Sequence, residues 1–177
     1  TRAIVYRNAR EGMTKPDALE SFLKKADEAL DIPIGVDVFG YNGWYLMGNW
    51  IGQNIAAMAR WVDVISPMYY PSHYPRSFLR DYSYFDRARI IYERGSNRAA
   101  ELVEGMAYIR PYVQAFLIGS ERAYEEEQYD EYLRRQLEGV IASDTSGFTL
   151  WNASNNYYMI VGQLNQYTSV YGNELLD

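Results

Sequence analysis

Hydrophobic residues change their spacing from helical to strand-like several times along the chain. Between Thr14 and Leu30 they recur at helical spacing, and Thr14 and Asp17 are positioned to form a capping box. This pattern predicts a first helix. Later runs rich in β-branched and aromatic residues predict four strands, at 32–40, 62–70, 108–118 and 147–154.

Helices and loops are expected to alternate with these strands. The hydrophobic pattern predicts three further helices, at 51–61, at 97–105 or beginning earlier, and at 123–143. The segments 41–50 and 71–94 have no clear period and are predicted to be irregular. Pro67 lies inside the second predicted strand, where its missing N–H predicts a bend or an unpaired edge.

Strands separated by helices predict a parallel sheet with right-handed crossovers. The strands are almost continuously apolar, as in parallel sheets that are covered on both faces. Two α/β architectures fit, a TIM barrel and an open doubly wound sheet, and no glycine-rich nucleotide-binding motif follows any strand. Four strands make half a barrel. We therefore expect residues 1–177 to be a single domain, the carboxyl-terminal half of a TIM (β/α)8 barrel.

Composition narrows the classes of function. The net charge is −6 and the Lys and Arg residues are dispersed, so a nucleic-acid partner is not expected. No apolar run approaches the roughly 20 residues of a membrane helix. With no Cys and one His, no metal site or other cofactor is expected. The 18 Tyr against 6 Phe indicate wet, amphipathic surfaces of the kind that stack on sugars.

Four motifs at the predicted strand ends occur together in the order and spacing of a known family: GVDVFGYNGW, VDVISPMYYPSHY, IRPYVQAF and LWNASNNY. They resemble the last four strand–loop units of a bacterial family of glycoside hydrolase-like domains, which are TIM barrels related to the α-amylase-like barrels. The resemblance spans Arg10 to about Tyr158. An FDYxRFP-like motif of the preceding unit is absent, and Ala115 stands where many members are expected to carry an acid. These departures imply a second acid on the amino-terminal half of the barrel.

Two carboxylates are candidates for catalysis, because barrel enzymes hold their reacting groups at the carboxyl ends of strands and in the loops that follow. Asp37 lies late in the first strand and Glu121 lies in the loop after the third. Glycoside hydrolysis usually needs such a pair. The alternative for Asp37 is an interior aspartate paired with Arg110 or a tyrosine. For Glu121 the alternative is a solvated residue at the start of a helix.

Residues around the second and third strand ends are candidates for substrate binding. Tyr69 and Tyr70 must point in opposite directions because strand side chains alternate, and Tyr69 is preferred for the pocket. His73 either binds a sugar hydroxyl or anchors its loop by hydrogen bonds. Gln114 lies in an apolar strand, so its amide bonds either to the ligand or to a neighbouring strand.

The other candidate substrate-binding residues are Trp151, Asn152 and Trp44. Trp151 and Asn152 resemble the sugar-stacking Trp and polar neighbour of barrel glycosidases, although a Trp at this position could instead plug the barrel. Trp44 lies in the first top loop, where it either extends a glycan platform or covers the mouth of the barrel.

The leading interpretation is a glycoside hydrolase that cleaves a poly- or oligosaccharide by carboxylate acid–base chemistry. The alternatives are a non-catalytic carbohydrate-binding barrel domain and a scaffold for protein interactions. A half-barrel leaves open strand edges, so we expect association with the missing half or with a second copy. The expected location is extracytoplasmic, in the periplasm, the cell envelope or the medium.

Overall fold

The computed structural model describes residues 10–46 and 51–160 as an α/β fold with one parallel sheet. Its five strands are β1 Gly35–Phe39, β2 Val64–Met68, β3 Tyr108–Ile109, β4 Tyr112–Gln114 and β5 Thr149–Trp151. The order in the sheet is β1-β2-β4-β5, and β3 also pairs with β2. Spatial order therefore follows chain order without a reversal.

Five α-helices connect or precede the strands: α1 Lys15–Ala29, α2 Gly40–Trp44, α3 Ile55–Met58, α4 Tyr84–Val103 and α5 Glu126–Ile141. Helix α1 begins as predicted, because Thr14 and Asp17 form both bonds of a capping box. The predicted helix at 51–61 is shorter, and its last turn, 59–61, is a 3₁₀-helix. The predicted loop after β1 begins as helix α2.

Helix α4 is much longer than the sequence pattern predicts. It has 20 residues and begins at Tyr84, inside a segment that was expected to be irregular. Ser83 caps it, since its side chain accepts a hydrogen bond from the Asp86 amide. Gly95 resembles a helix breaker in the sequence, but an added Cβ there would lie 2.7 Å from Trp44 Nε1. The glycine therefore lets the side chain of Trp44 pack closely against helix α4.

The third predicted strand is divided in two, and Pro67 lies opposite the break. The carbonyls of Asp63 and Ile65 accept hydrogen bonds from the amides of Tyr108 and Arg110. Residues with odd numbers in β2 therefore direct their backbone groups toward β3. Pro67 is also odd-numbered, but it has no N–H to donate on that side. The pairing of β2 is therefore interrupted at Pro67 and resumes where Met68 pairs with Tyr112. Of the two predicted consequences of Pro67, a bend or an unpaired edge, the structure shows a local gap in the pairing, while β2 as a whole is a central strand.

The two faces of the sheet have different environments. Val38, Ile65 and Ile109 pack against α1, α3 and α4 and are at most 3% exposed. The opposite face carries the alternate residues of each strand, and five of them, which we call the open face, are Asp37, Phe39, Tyr108, Tyr112 and Trp151. Phe39, Tyr108 and Trp151 are 52%, 66% and 43% exposed. Within residues 10–46 and 51–160, helices thus cover one face of this parallel sheet and leave the other uncovered.

Helices α4 and α5 form the most extensive helix pair on the covered face. Gly139 of α5 lies so close to α4 that an added Cβ would be 2.2 Å from the carbonyl oxygen of Arg89. Leu133, Leu137 and Val140 of α5 are buried in the same core. None of the helices in the described part of the chain is long and apolar enough to cross a membrane.

Candidate functional site

Asp37, Tyr112 and Trp151 form a contiguous group on the open face. The Tyr112 hydroxyl interacts with the Asp37 carboxylate and acts to lower the pKa of that carboxyl group. The ring of Tyr112 packs edge-on against Trp151, with the centroids 5.8 Å apart. Asp37 is therefore paired with a tyrosine, as the structural alternative anticipated, whereas Arg110 donates to the carbonyl of Phe148. An exposed carboxylate with flanking rings is the result.

The surroundings of Asp37 favour its protonated form. The neighbouring protein atoms raise the pKa of Asp37 above its ordinary value of 3.8, because they displace water from the carboxylate. The hydrogen bond from Tyr112 opposes this effect, since it stabilises the charged form. The net direction is upward, which suits a group that must deliver a proton.

An aromatic cluster from the loop after β2 adjoins this group. Tyr70 packs edge-on against His73 and against Phe116, at centroid distances of 5.2 and 5.3 Å. Burial raises the pKa of Tyr70, and the nearby Tyr112 and Asp37 raise it further. His73 is exposed, and its backbone amide donates to the carbonyl of Tyr70. Tyr70 thereby links His73 to the open face.

Gln114 and Glu121 belong to a buried network at the carboxyl end of β4. Gln114 is fully buried; its oxygen accepts from the amide and hydroxyl of Ser72 at 3.3 and 2.8 Å. Its amide nitrogen donates to Glu121 at 3.1 Å. Glu121 is 2% exposed and also accepts from Tyr84, from Tyr132 at 2.8 Å and from the amide of Ile118 at 3.1 Å. The expectation of a solvated Glu121 is wrong, because four donors hold its carboxylate in the interior.

Helix side chains complete the hydrogen bonding of the β4 end. The backbone N–H of Gln114 donates to the hydroxyl of Tyr92 in α4 and to the side-chain oxygen of Gln136 in α5, at 3.1 and 3.0 Å. Gln136 returns a bond to the carbonyl of Gln114 at 3.2 Å. At the neighbouring strand end, Asn152 donates to the carbonyls of Ala115 and Asn156. Gln114 and Asn152 are thus 0% and 5% exposed, and their side chains bond within the protein. Of the two alternatives for Gln114, this structure shows hydrogen bonds to protein neighbours.

Tyr69 and Trp44 lie on the helix side of the sheet. Tyr69 is fully buried, and its hydroxyl donates to the carbonyl of Gly95 at 2.6 Å. The expected orientation of the tyrosine pair is therefore reversed, and Tyr70 is the one that lies near Asp37. The physical reason is space, because Gly43 and Gly95 leave room for the Tyr69 ring. Trp44 is partly buried and packs edge-on against Phe78 at 5.1 Å.

Of the eight predicted residues, three lie on or beside the open face: Asp37, His73 and Trp151. Sequence reasoning missed Tyr112, although alternation contained the signal, since Tyr112 precedes Gln114 by two residues and shares its side of the strand. Tyr84 and Tyr132 were also missed. Their hydroxyls reach Glu121 from two different helices, which no local pattern reports. In residues 10–46 and 51–160 no cluster of three or more acidic, His or Cys residues could hold a metal ion.

Comparison with known proteins places these residues in a family. Residues 1–157 match the family model described as "Putative glycosyl hydrolase domain". No curated protein and no solved structure matches the chain. The match includes every strand that contributes to the open face.

The hydrogen bond from Tyr112 predicts a specific change in the titration of Asp37. In Tyr112→Phe the donor that stabilises the carboxylate is lost while the ring remains, so the pKa of Asp37 should rise further. Carbon-13 NMR of the labelled side-chain carboxyl measures this midpoint. Tyr108→Phe is the matched control on the same face and should leave the midpoint unchanged. A midpoint that stays constant or falls in Tyr112→Phe would contradict the assignment.

The burial of Glu121 predicts a stability effect from a nearly isosteric change. Glu121→Gln turns one acceptor into a donor that faces the hydroxyls and amides already aimed at it. We expect a loss of about 1–3 kcal/mol in the free energy of unfolding, measured with urea. Glu127→Gln, at an exposed position in α5, should change it by less than about 0.5 kcal/mol. Equal stability of the two variants would refute an anchoring role for Glu121.

Proposed function

Because the chain belongs to the family described as "Putative glycosyl hydrolase domain", we propose that it binds a poly- or oligosaccharide at its open face and hydrolyses it by carboxylate chemistry. The observation that carries this proposal is the contact of Asp37 with Tyr112 and of Tyr112 with Trp151. An acid flanked by exposed rings suits a sugar, whose ring stacks on aromatic faces while its glycosidic oxygen needs a proton.

Asp37 is the proposed general acid of the reaction. A general acid must still hold its proton at the working pH, which enzymes achieve by raising the pKa of a carboxyl group. The environment of Asp37 acts in that direction. In this role Asp37 protonates the oxygen of the leaving sugar, and Tyr112 orients the carboxyl group through its hydroxyl.

The rings of Trp151 and Tyr112 are the proposed sugar-binding surface. Trp151 is 43% exposed, so a sugar can reach its face, and the edge-on contact with Tyr112 restrains the ring. His73 is exposed beside Tyr70 and offers a polar group to a sugar hydroxyl. Gln114, Asn152 and Tyr69 are buried and bonded to protein neighbours, so we assign them no contact with the sugar.

A second carboxyl group is required for hydrolysis by either stereochemical course. All four hydrogen bonds to Glu121 come from within the protein, which favours an anchoring role over contact with substrate. We assign the second carboxyl group to a position outside residues 10–46 and 51–160.

The proposed architecture is a (β/α)8 barrel, of which the described sheet is one segment. Two observations support it. The strands follow one another in chain order without the reversal that defines a doubly wound sheet. Helices cover one face, and the other carries exposed aromatic residues together with Asp37, as the inner face of a barrel would. In this arrangement further strand–helix units complete the ring and pack the inner face near the amino ends of the strands. Trp151, the last residue of β5, then lies at the mouth of the barrel, where a sugar can bind.

Catalysis and binding can be separated with two variants of the full-length protein. Asp37→Asn should retain affinity for an oligosaccharide identified from a hexasaccharide panel, and should hydrolyse it at least about 100-fold more slowly. Trp151→Ala should weaken binding by about tenfold, and Phe22→Ala, an exposed ring on α1, should not. Calorimetry and reducing-end release measure the two properties. Binding with no turnover in the unaltered protein would instead support the carbohydrate-binding alternative, and no binding would contradict both.

The uncovered sheet face predicts self-association when residues 1–177 are produced alone. We expect light scattering to report a species larger than a monomer, because exposed aromatic residues on a parallel sheet favour association. Replacing Phe39 and Tyr108 with Lys should give a monomer. Phe22→Lys, at a position as exposed as Tyr108 but on a helix, should not. A monodisperse monomer of the unaltered chain would count against the barrel arrangement.

A further inference from the structure

A basic cavity lies apart from the open face, between the loops that follow β2 and β4. Its volume is about 330 Å³, large enough for a monosaccharide or a small anion. Three arginines and four hydroxyl-bearing residues line it: Arg76, Arg80, Arg87, Tyr82, Tyr84, Tyr124 and Ser120. Since these loops follow the carboxyl ends of strands, the cavity lies on the side of an α/β sheet where ligands bind.

Arg87 is the residue that points to a ligand. It is only 4% exposed, yet among the described residues it forms no ion pair with a carboxylate. Its Nη1 donates to the carbonyls of Pro75 and Phe78, at 3.2 and 3.4 Å, while its Nε has no hydrogen-bond partner. A buried charge without a counter-charge is costly, so such groups usually have one.

The ring of Tyr84 holds the Arg87 guanidinium at the cavity. The guanidinium carbon lies 4.8 Å from the ring centroid, which is a cation–π distance. The Tyr84 hydroxyl, at the edge of the same ring, donates to Glu121. The buried carboxylate is thus held by its own donors, and among the described residues it forms no ion pair with Arg87. The positive charge stays available to the cavity.

Two exposed arginines extend this charge toward solvent. Arg76 and Arg80 line the same cavity, and Arg80 has only a weak, exposed contact with Asp81 at 3.8 Å. Guanidinium groups match the planar or tetrahedral oxygens of carboxylate, sulfate and phosphate, with which they form paired hydrogen bonds. A neutral sugar would leave the buried charge of Arg87 without a counter-charge.

We propose that this cavity is a binding site for an oxyanion, with Arg87 as its buried anchor and Arg76 and Arg80 as its outer contacts. The oxyanion is either a substituent of an acidic saccharide or a free anion. The first source rests on the proposed function, and it makes acidic glycans the substrate class. The second source does not depend on it.

Calorimetric titration of the full-length protein with sulfate, phosphate, tri-galacturonate and neutral maltotriose tests the proposal. We expect at least one of the three oxyanion probes to bind, and the combined variant Arg76→Gln/Arg80→Gln to weaken that binding by about tenfold. Arg87→Gln should weaken it by at least about tenfold. Arg122→Gln, an exposed arginine of the same loop that does not line the cavity, should leave the affinity within about twofold.

The pattern of binding distinguishes the two sources. Tri-galacturonate that binds at least about tenfold more tightly than both maltotriose and sulfate assigns the site to an acidic saccharide. Sulfate or phosphate that binds without such a preference assigns it to a free anion. If Arg87→Gln does not fold, the combined variant at the two exposed positions still decides. Binding by none of the three oxyanions, or an equal loss in Arg122→Gln, would overturn the proposal.

The oxyanion site and the proposed saccharide hydrolysis can be refuted independently of each other. A protein that cleaves neutral oligosaccharides through Asp37 but binds no oxyanion would retain the function and lose the site. A protein that binds sulfate through Arg76 and Arg80, and neither binds nor cleaves any saccharide, would retain the site and lose the function.

Discussion

The alternation of side chains along parallel strands is the constraint on which this structure depends. Because neighbouring strands keep one register, paired residues of adjacent strands point to the same face of the sheet. Helices α1, α3, α4 and α5 pack on one face and bury its aliphatic residues. Asp37, Tyr112 and Trp151 therefore gather on the other face, although they are far apart in the sequence. The site and the core follow from the same alternation.

The buried network around Glu121 fixes the geometry of the strand ends. A carboxylate taken out of water loses several kcal/mol of solvation unless donors replace the lost water. Here two tyrosine hydroxyls, an amide side chain and a backbone amide replace it. These donors come from α4, β4, α5 and the loop after β4. Removing any one of them would leave charge unsatisfied, so the network ties the surrounding elements in one arrangement.

The sequence predicts the elements better than the details of the site. Alternating strands and helices, the capping box of α1 and the parallel sheet follow from local patterns. The break between β3 and β4 does not, because it depends on Pro67 in a neighbouring strand. Nor does the orientation of Tyr69, since the space that it fills is left by Gly43 and Gly95, distant in the sequence. The burial of Glu121 does not follow from local patterns either, because donors to its carboxylate come from helices distant in the sequence.

Tyr84 contacts two buried groups of opposite charge that form no ion pair with each other in the described part of the chain. Its hydroxyl satisfies Glu121, and its ring face holds the guanidinium of Arg87. A direct ion pair would have closed the cavity to an external anion, because a carboxylate already paired with Arg87 competes with any ligand. Because the two groups contact different parts of Tyr84, the carboxylate serves the fold and Arg87 keeps its capacity to pair with an external anion. In the proposed site, this capacity is the source of the preference for oxyanions.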